Sequence, residues 1–417
     1  MSSLDALSTS PPRNICMVVG KYFEPIDSGS VLQTCALASA LAKHGNLTVV
    51  ELGYEHDVRS RYGPASGTVG DLPYRGSARF IRGPGESGMV KLSKEKRSRI
   101  RREHGIHRWL APRDELGAWT LEQVLLSDAD LVVMVQIDFA GPVLGGIDIP
   151  LVMQTHNHES SAALSHLRRS SRSRLKEHAY RYWCIRNYER IGFPRAAQIW
   201  CVSNADAQRY VDRPVPKERI FVIPNVVPPS AFRTDPPIGR SGLGLFFGHL
   251  GYGPNRDAVL TLADMSNDLT ARGISNEILL LGNGADDDLR AAIARAPGLR
   301  FCGFVNDLMS TLDEASVVII PLTFGGGTKL KVIEAMAAGR PVLTTAVGVE
   351  GIDGVVDGVH AIIRPVGPSF TEQAAEMLAD PPRFAHIGLA GQELVRRRYG
   401  MASLDAAVDS ALRLLPS

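Results

Sequence analysis

The chain has 417 residues, more than the roughly 250–300 at which a single core stops growing, so two domains are expected. Hydrophobic residues make up 44% and charged residues 22%, a globular balance that excludes a disordered or fibrous chain. The formal net charge of +2 argues against binding nucleic acid through bulk charge, so no nucleic-acid partner is expected.

The N-terminal MSSLDALSTSPPRN has neither a basic start nor an apolar run, so no signal peptide is expected. NICMVVG (14–20) reads as a buried first strand. The loop KYFEPIDSGS, with Pro25 and Gly29, leads into VLQTCALASALAKHG, whose Leu32, Ala36, Leu37, Ala40 and Leu41 recur at helical spacing. NLTVVEL, DLVVMVQ (130–136), IPLVMQTH (149–156), AAQIWCVS (196–203) and RIFVIPN (219–225) continue a series of strands alternating with helices, the pattern of βα units on a parallel sheet. Residues 54–76 read as an irregular loop. Two stretches, 91–109 and 168–181, are dense in Arg and Lys; they read as solvated helix faces or as a footprint for an anionic acceptor or an acidic membrane.

NVVPPSAFRTDPPIGRSG (225–242) is rich in Pro, Gly and Ser and reads as an exposed linker. Beyond it the strand pattern restarts with LGLFFGHL, EILLLGNG, LRFCGFV, ASVVIIPL, RPVLTT and HAIIRP. The five cysteines, Cys16, Cys35, Cys184, Cys201 and Cys302, are scattered and contain no CxxC pair, so buried thiols in a reducing compartment are expected. No stretch approaches the roughly 18 apolar residues of a membrane span.

Chemistry concentrates in PLTFGGGTKLKVIEAMAAGRPVLTT (321–345). A strand ends in TFGGGTK and the helix LKVIEAMAAG follows, with Gly339 and Pro341 as stop signals. The first N–H groups of such a helix lack internal partners and carry the positive end of its dipole, while glycines before it let the backbone approach an anion. Thr328 can add a hydroxyl, and Lys329 or Lys331 charge. The segment is not a Walker motif, and no GxGxxG follows the first strand.

This segment, together with QTHNHES, CVSNADAQ, VIPNVV, LFFGHLGYGPNRDAV, LLLGNG and FCGFVNDL in the same order, resembles the retaining GT-B glycosyltransferases of group 1 or family 4 over most of the chain. The resemblance implies an α/β fold of two Rossmann-like domains with parallel sheets facing a central cleft. Residues 1–226 would be the acceptor-side domain and 227–399 the nucleotide-sugar donor domain, with a helix in 400–417 packing back on the first.

Site residues follow from the same resemblance. Glu334 matches the second glutamate of the family's ExxxxxxxE motif and would hold the ribose hydroxyls; Gly326 stands where the first glutamate belongs, so Gly326, Gly327 and Thr328 would take over part of the donor contact. His249 stands where many relatives place a phosphate-binding arginine, so Arg256, Lys329 or Lys331 would compensate. His156 would reach the donor sugar as the catalytic-side residue, His158 and Glu159 would shape the acceptor side, and Gly29 would bring a loop near the donor phosphates. The implied activity is retaining transfer from a nucleotide-diphosphate sugar to a natural-product, polysaccharide or lipid-linked acceptor, with no metal and no further cofactor. Two alternatives stay open: a sugar-nucleotide epimerase of the same fold, and a non-catalytic nucleotide-sugar-binding protein. A cytoplasmic protein is expected, with the basic helices as its contact to the inner face of a membrane.

Overall fold

Strands buried on both faces are apolar along their whole length, and NICMVV, LVVMV and ASVVII follow that rule. The computed structural model describes residues 14–20, 29–52, 67, 69–72, 74–83, 114–135, 143, 146–168, 170, 172, 174–211, 215–305 and 307–415. The chain divides into two compact units, residues 1–224 with 404–417, and residues 225–403. The first basic stretch, 91–109, lies outside the described residues.

In chain order the first unit contains β1 (Asn14–Val19), α1 (Gly29–Leu41), β2 (Asn46–Glu51), β3 (Val69–Asp71), β4 (Ser77–Arg82), α2 (Asp114–Leu126), β5 (Leu131–Val135), β6 (Leu151–Gln154), α3 (Glu159–Arg168), α4 (Leu175–Ile191), β7 (Gln198–Cys201), α5 (Asn204–Val211) and β8 (Ile220–Val222). Its sheet runs β3-β4-β2-β1-β5-β6-β7-β8, parallel except for the β3/β4 pair. The strand β3 corrects the reading of 54–76 as wholly irregular. In β4, Ala78 and Phe80 are buried while Ser77 and Arg79 are exposed, the alternation of a strand near a sheet edge. Glu51, fully buried at the end of β2, accepts from Arg82 Nε at 2.8 Å across the β2/β4 pair.

The second unit contains β9 (Arg240–Phe247), α6 (Gly253–Ala271), β10 (Glu277–Leu281), α7 (Asp287–Ala294), β11 (Leu299–Gly303), α8 (Leu308–Glu314), β12 (Ala315–Ile320), α9 (Leu330–Ala337), β13 (Val342–Thr344), α10 (Ala346–Val349), β14 (Ile362–Ile363), α11 (Pro368–Ala379) and α12 (Pro381–Arg398). Its six strands run β11-β10-β9-β12-β13-β14, all parallel. The order reverses between β9 and β12, and the crevice beyond the carboxyl ends of strands at such a point is where open α/β sheets take ligands. Asp286 caps α7, accepting from Leu289 N at 2.8 Å, so the acidic run 286–288 begins a helix.

The last helix, α13 (Met401–Leu412), crosses the second boundary between the units. Its Leu404, Val408, Ala411 and Leu412 are buried. In the first unit, Asp405 pairs with Lys43 at 2.7 Å and with Arg75, and Asp409 lies 2.8 Å from His44 Nε2. The buried side chain of Gln198 donates to the Ala411 carbonyl at 2.7 Å and accepts from Trp200 Nε1 at 2.7 Å.

Cys16, Cys35 and Cys201 are buried free thiols, as expected, and burial pushes the Cys16 thiol up to about 12. Cys302 corrects the expectation: it is exposed, because β11 is the edge strand of its sheet and every second side chain faces solvent. Among the described residues no helix is long and apolar enough to cross a membrane.

Candidate active site

The glycine segment leaves the fully buried strand β12 and reaches α9 through residues 321–329. Gly325 has φ 127° and Gly327 φ 66°, the left-handed side of backbone space that side chains disfavour. Glycine there is a requirement of the loop's path. Lys329, 7% exposed, turns its ammonium back on the loop, donating to the carbonyls of Gly327 at 2.7 Å and Gly325 at 3.1 Å, with Glu350 at 3.8 Å. Its charge braces the turn. Thr328 donates its hydroxyl to the Gly351 carbonyl at 3.2 Å. Lys329 occupies the N-cap position and no side chain caps α9, so the positive end of this eight-residue helix stands uncapped by side chains.

A second loop follows β9. Gly248 donates its N–H to the Leu281 carbonyl at 3.0 Å and Leu250 to that of Asn283 at 2.7 Å, which ties the loop to the end of β10. His249 Nδ1 accepts from Gly251 N at 3.1 Å. Arg256 in the first turns of α6 is paired with Asp286 at 2.6 Å. Lys331, the second residue of α9, reaches across to this loop: its Nζ donates to Asn255 Oδ1 and sits 4.5 Å from the centroid of the Phe246 ring. A Cβ on Gly248 would lie 2.9 Å from that Nζ, so glycine leaves the room the ammonium uses.

Lys331 and Glu334 are half-buried on one face of α9, three residues apart. Burial pulls the Lys331 ammonium down to about 7, against the opposing pull of the Glu334 carboxylate. Burial also raises Glu334 above the ordinary carboxylate range, and the Lys331 charge works the other way. Shifted protonation of a neighbouring cation and anion is a feature that ligand sites share with structural ion pairs.

The structure thus gathers Gly326, Gly327, Thr328, Lys329, Lys331 and Glu334 on one loop and helix, and brings Lys331 to the loop that carries His249. Gly29, His156, His158 and Glu159 belong to the first unit. Gly29 is the first residue of α1, and residues 21–28 lie outside the described chain. His156 is half-buried just past the carboxyl end of β6. His158 is packed inside: Nδ1 is 2.7 Å from Ser161 Oγ, the ring centroid is 4.5 Å from that of Tyr210, and the backbone N–H donates to Asp206 at 3.1 Å. Glu159 opens α3, and its N–H donates to the Tyr210 hydroxyl at 3.3 Å.

Two features escape the sequence reading. Asn255 is 6% exposed and holds Lys331, and only its place two residues into the helix after GYG could have drawn attention to it. Ser203 and Asp206 form a reciprocal cap on α5, Ser203 Oγ donating to Asp206 at 2.8 Å and accepting its N–H at 3.1 Å; the signal was S-x-x-D before a helix. Among the described residues no three His, Cys, Asp or Glu side chains gather as a metal site.

No curated protein matches the chain significantly. TarM of S. aureus is similar in structure at 14% identity and a TM-score of 0.58 over 73% of this chain, and the chain spans 58% of the length of TarM. Sucrose-phosphate synthase (tll1590) from Thermosynechococcus elongatus is 16% identical with a TM-score of 0.69, over 97% of this chain and 99% of its own. Anabaena Alr3699/HepE, solved with UDP and glucose, is 15% identical with a TM-score of 0.64, over 96% and 99%. At these identities the likeness shows the fold, which is GT-B with two Rossmann-like domains. Residues 28–231 match Glycosyltransferase Family 4 and residues 243–380 match Glycosyl transferases group 1. With only 1–27, 232–242 and 381–417 left outside those matches, the chain belongs to the group 1, family 4 glycosyltransferases.

Proposed function

We propose that this glycosyltransferase takes a nucleotide-diphosphate sugar as donor and transfers the sugar, with retention at the anomeric carbon, to a hydroxyl of a natural product, a polysaccharide or a lipid-linked saccharide. One observation carries the reading: at the point where strand order reverses, an uncapped helix start, a glycine loop and the half-buried pair Lys331 and Glu334 stand together. The family membership and the UDP bound by HepE support a nucleotide donor.

In this reading the second unit binds the donor. The backbone at Gly326, Gly327 and Thr328 and the start of α9 receive the diphosphate, with Lys331 nearest and His249 and Arg256 beside it. Glu334 accepts from the ribose hydroxyls, a charge-assisted contact. As the bond between the anomeric carbon and the diphosphate oxygen breaks, negative charge grows on that oxygen, and donors already aimed at it lower the barrier. The acceptor oxygen bonds to the same face of the sugar, and its proton passes to a diphosphate oxygen. Charge is met by amides and ammonium, so the reading needs neither a metal nor a further cofactor. In the first unit, His156 just past the carboxyl end of β6 acts toward the sugar, Gly29 brings its loop near the donor phosphates, and His158 and Glu159 shape the acceptor side, His158 from its packed position against Tyr210.

Purified protein incubated with UDP-, GDP- and dTDP-sugars, with and without saccharide acceptors, tests this. Nucleotide release that depends on acceptor is the expected result. An isomerised sugar would identify an epimerase, and binding without turnover a non-catalytic module.

We further propose a cytoplasmic enzyme that touches the inner face of an acidic membrane through α4. The helix exposes Leu175, Tyr180 and Trp183 beside Arg181, Arg186 and Arg190, aromatic rings with cations that suit a headgroup layer. Co-sedimentation with anionic but not zwitterionic vesicles is expected; equal binding to both would remove the contact.

A further inference from the structure

The proposed donor site holds three cations, Lys329, Arg256 and Lys331, and the histidine His249, and the partners of the four differ. Lys329 donates to two carbonyls of its own loop. Arg256 is paired with Asp286. His249 Nδ1 faces the Gly251 N–H of its own loop at 3.1 Å. Lys331 alone of the four crosses from its helix to the end of β9, and its hydrogen-bond partner there is a neutral amide oxygen.

That amide is fixed in orientation. Asn255 Nδ2 donates to the His249 carbonyl at 2.8 Å, so Oδ1 is the atom turned to the ammonium, and the residue is 6% exposed. The Phe246 ring lies under the same ammonium at 4.5 Å. Gly248 gives it space, since a Cβ there would meet Lys331 Nζ at 2.9 Å and Asn255 Nδ2 at 3.0 Å. Phe246 of β9, Gly248 of the loop after it and Asn255 of α6 therefore surround one lysine from α9 at the reversal of the strand order.

We propose that Asn255 is a positioning residue that holds the Lys331 ammonium against Gly248 as the cation that meets the donor's diphosphate. The inference rests on the donor reading above and adds which cation acts and what places it. It also has a proton-linked consequence. The charged and titratable groups around it are Glu334 on the same helix, Lys329 at that helix's N-cap with Glu350 3.8 Å from its ammonium, His249 after β9, and Arg256 on α6, paired with Asp286. A half-buried ammonium with one amide acceptor is held down to about 7, so above that pH much of Lys331 is neutral in the free protein. A diphosphate favours the charged form, and binding then takes up a proton.

Titration calorimetry of the full chain with UDP, GDP and dTDP, each beside its nucleoside, in buffers of different ionisation enthalpy, tests this. For the wild type, uptake is expected to be small at about pH 6 and to approach about one proton at about pH 8.5. Lys331→Met is expected to weaken diphosphate binding roughly ten- to a hundred-fold, to leave nucleoside binding unchanged and to abolish the uptake. Lys331→Arg keeps a cation and most of the affinity with no uptake, and serves if the Met variant fails to fold. Asn255→Leu weakens diphosphate binding in the same sense, and Asn255→Asp removes the uptake because a carboxylate keeps the ammonium charged. Diphosphate affinity unchanged in Lys331→Met while Glu334→Ala loses it overturns this inference alone. Equal loss of nucleoside and diphosphate in Lys331→Met overturns it too. A wild type that binds none of the three diphosphates overturns the donor reading and this inference together.

Discussion

Gly282 lies on Gly248: a Cβ at Gly282 would stand 1.9 Å from the Gly248 carbonyl oxygen, and Gly282 itself has φ 130°. The ends of β10 and β9 are thus pressed backbone to backbone beside the loop that receives Lys331. Gly282→Ala is expected to cost about 2 kcal/mol or more, from the disfavoured backbone and the displaced strand end. It should lower the melting temperature and weaken nucleotide binding together, since Gly248 moves with it.

Glu334→Ala separates binding from stability. Loss of a charged hydrogen bond to ribose is expected to weaken nucleotide affinity by about 1.5–3 kcal/mol. Its raised protonation midpoint means that the folded state disfavours the carboxylate, so the residue costs stability above the unfolded midpoint and stops doing so as acid neutralises it. The variant should therefore melt no lower than the wild type at neutral pH. Unchanged nucleotide affinity by calorimetry would remove Glu334 from the donor site.

Lys331 works with the opposite sign. Its midpoint falls from 10.5 to about 7 on folding, so the unfolded chain binds more protons between those values and stability rises with pH across that window. Below about 7 the penalty is complete. Lys331→Met removes it, and denaturant titrations should show a gain over the wild type that is full at and below about pH 7 and fades toward pH 10.5. A gain independent of pH would contradict the burial of the ammonium.

Lys329→Met should cost stability and nucleotide affinity together. Its ammonium holds two carbonyls of the glycine loop, and losing a charged donor to a buried loop costs about 1.5–3 kcal/mol. The contrast with Glu334→Ala, in one pair of melting and binding curves, separates the lysine that shapes the loop from the carboxylate that uses it.

In the first unit, Arg82→Ala leaves the fully buried carboxylate of Glu51 without the guanidinium, which is expected to cost about 3–5 kcal/mol. Replacing both residues by leucine should restore most of that loss. Chemical denaturation of the single and double variants reads the difference.

The strands that form the centres of both sheets are legible in the sequence because β1, β5 and β12 are buried on both faces and need continuous apolar side chains. The glycine loop is legible for a related reason: φ angles such as those of Gly325 and Gly327 leave little choice of residue. The β3/β4 pair is not, because β3 is three residues long and solvated, and a short edge strand has no apolar pattern to display. Nor could spacing divide the cations. Lys329 and Lys331 are two residues apart on the chain, yet the turn into α9 sends one ammonium back to its own loop and the other across to Asn255. His158 and His156 are just as close in sequence, and only the packing of Tyr210 draws the former inside.

The bond from Gln198 to Ala411 bears on how the protein is made. Translation supplies the second unit entire, residues 225–403, before the helix that completes the first has been synthesised. During that interval the Gln198 amide awaits its acceptor at Ala411, so the earlier-made half is finished only after the later-made one. A chain ending short of residue 404 lacks the helix that carries the Ala411 carbonyl and so leaves the first unit without that acceptor for Gln198.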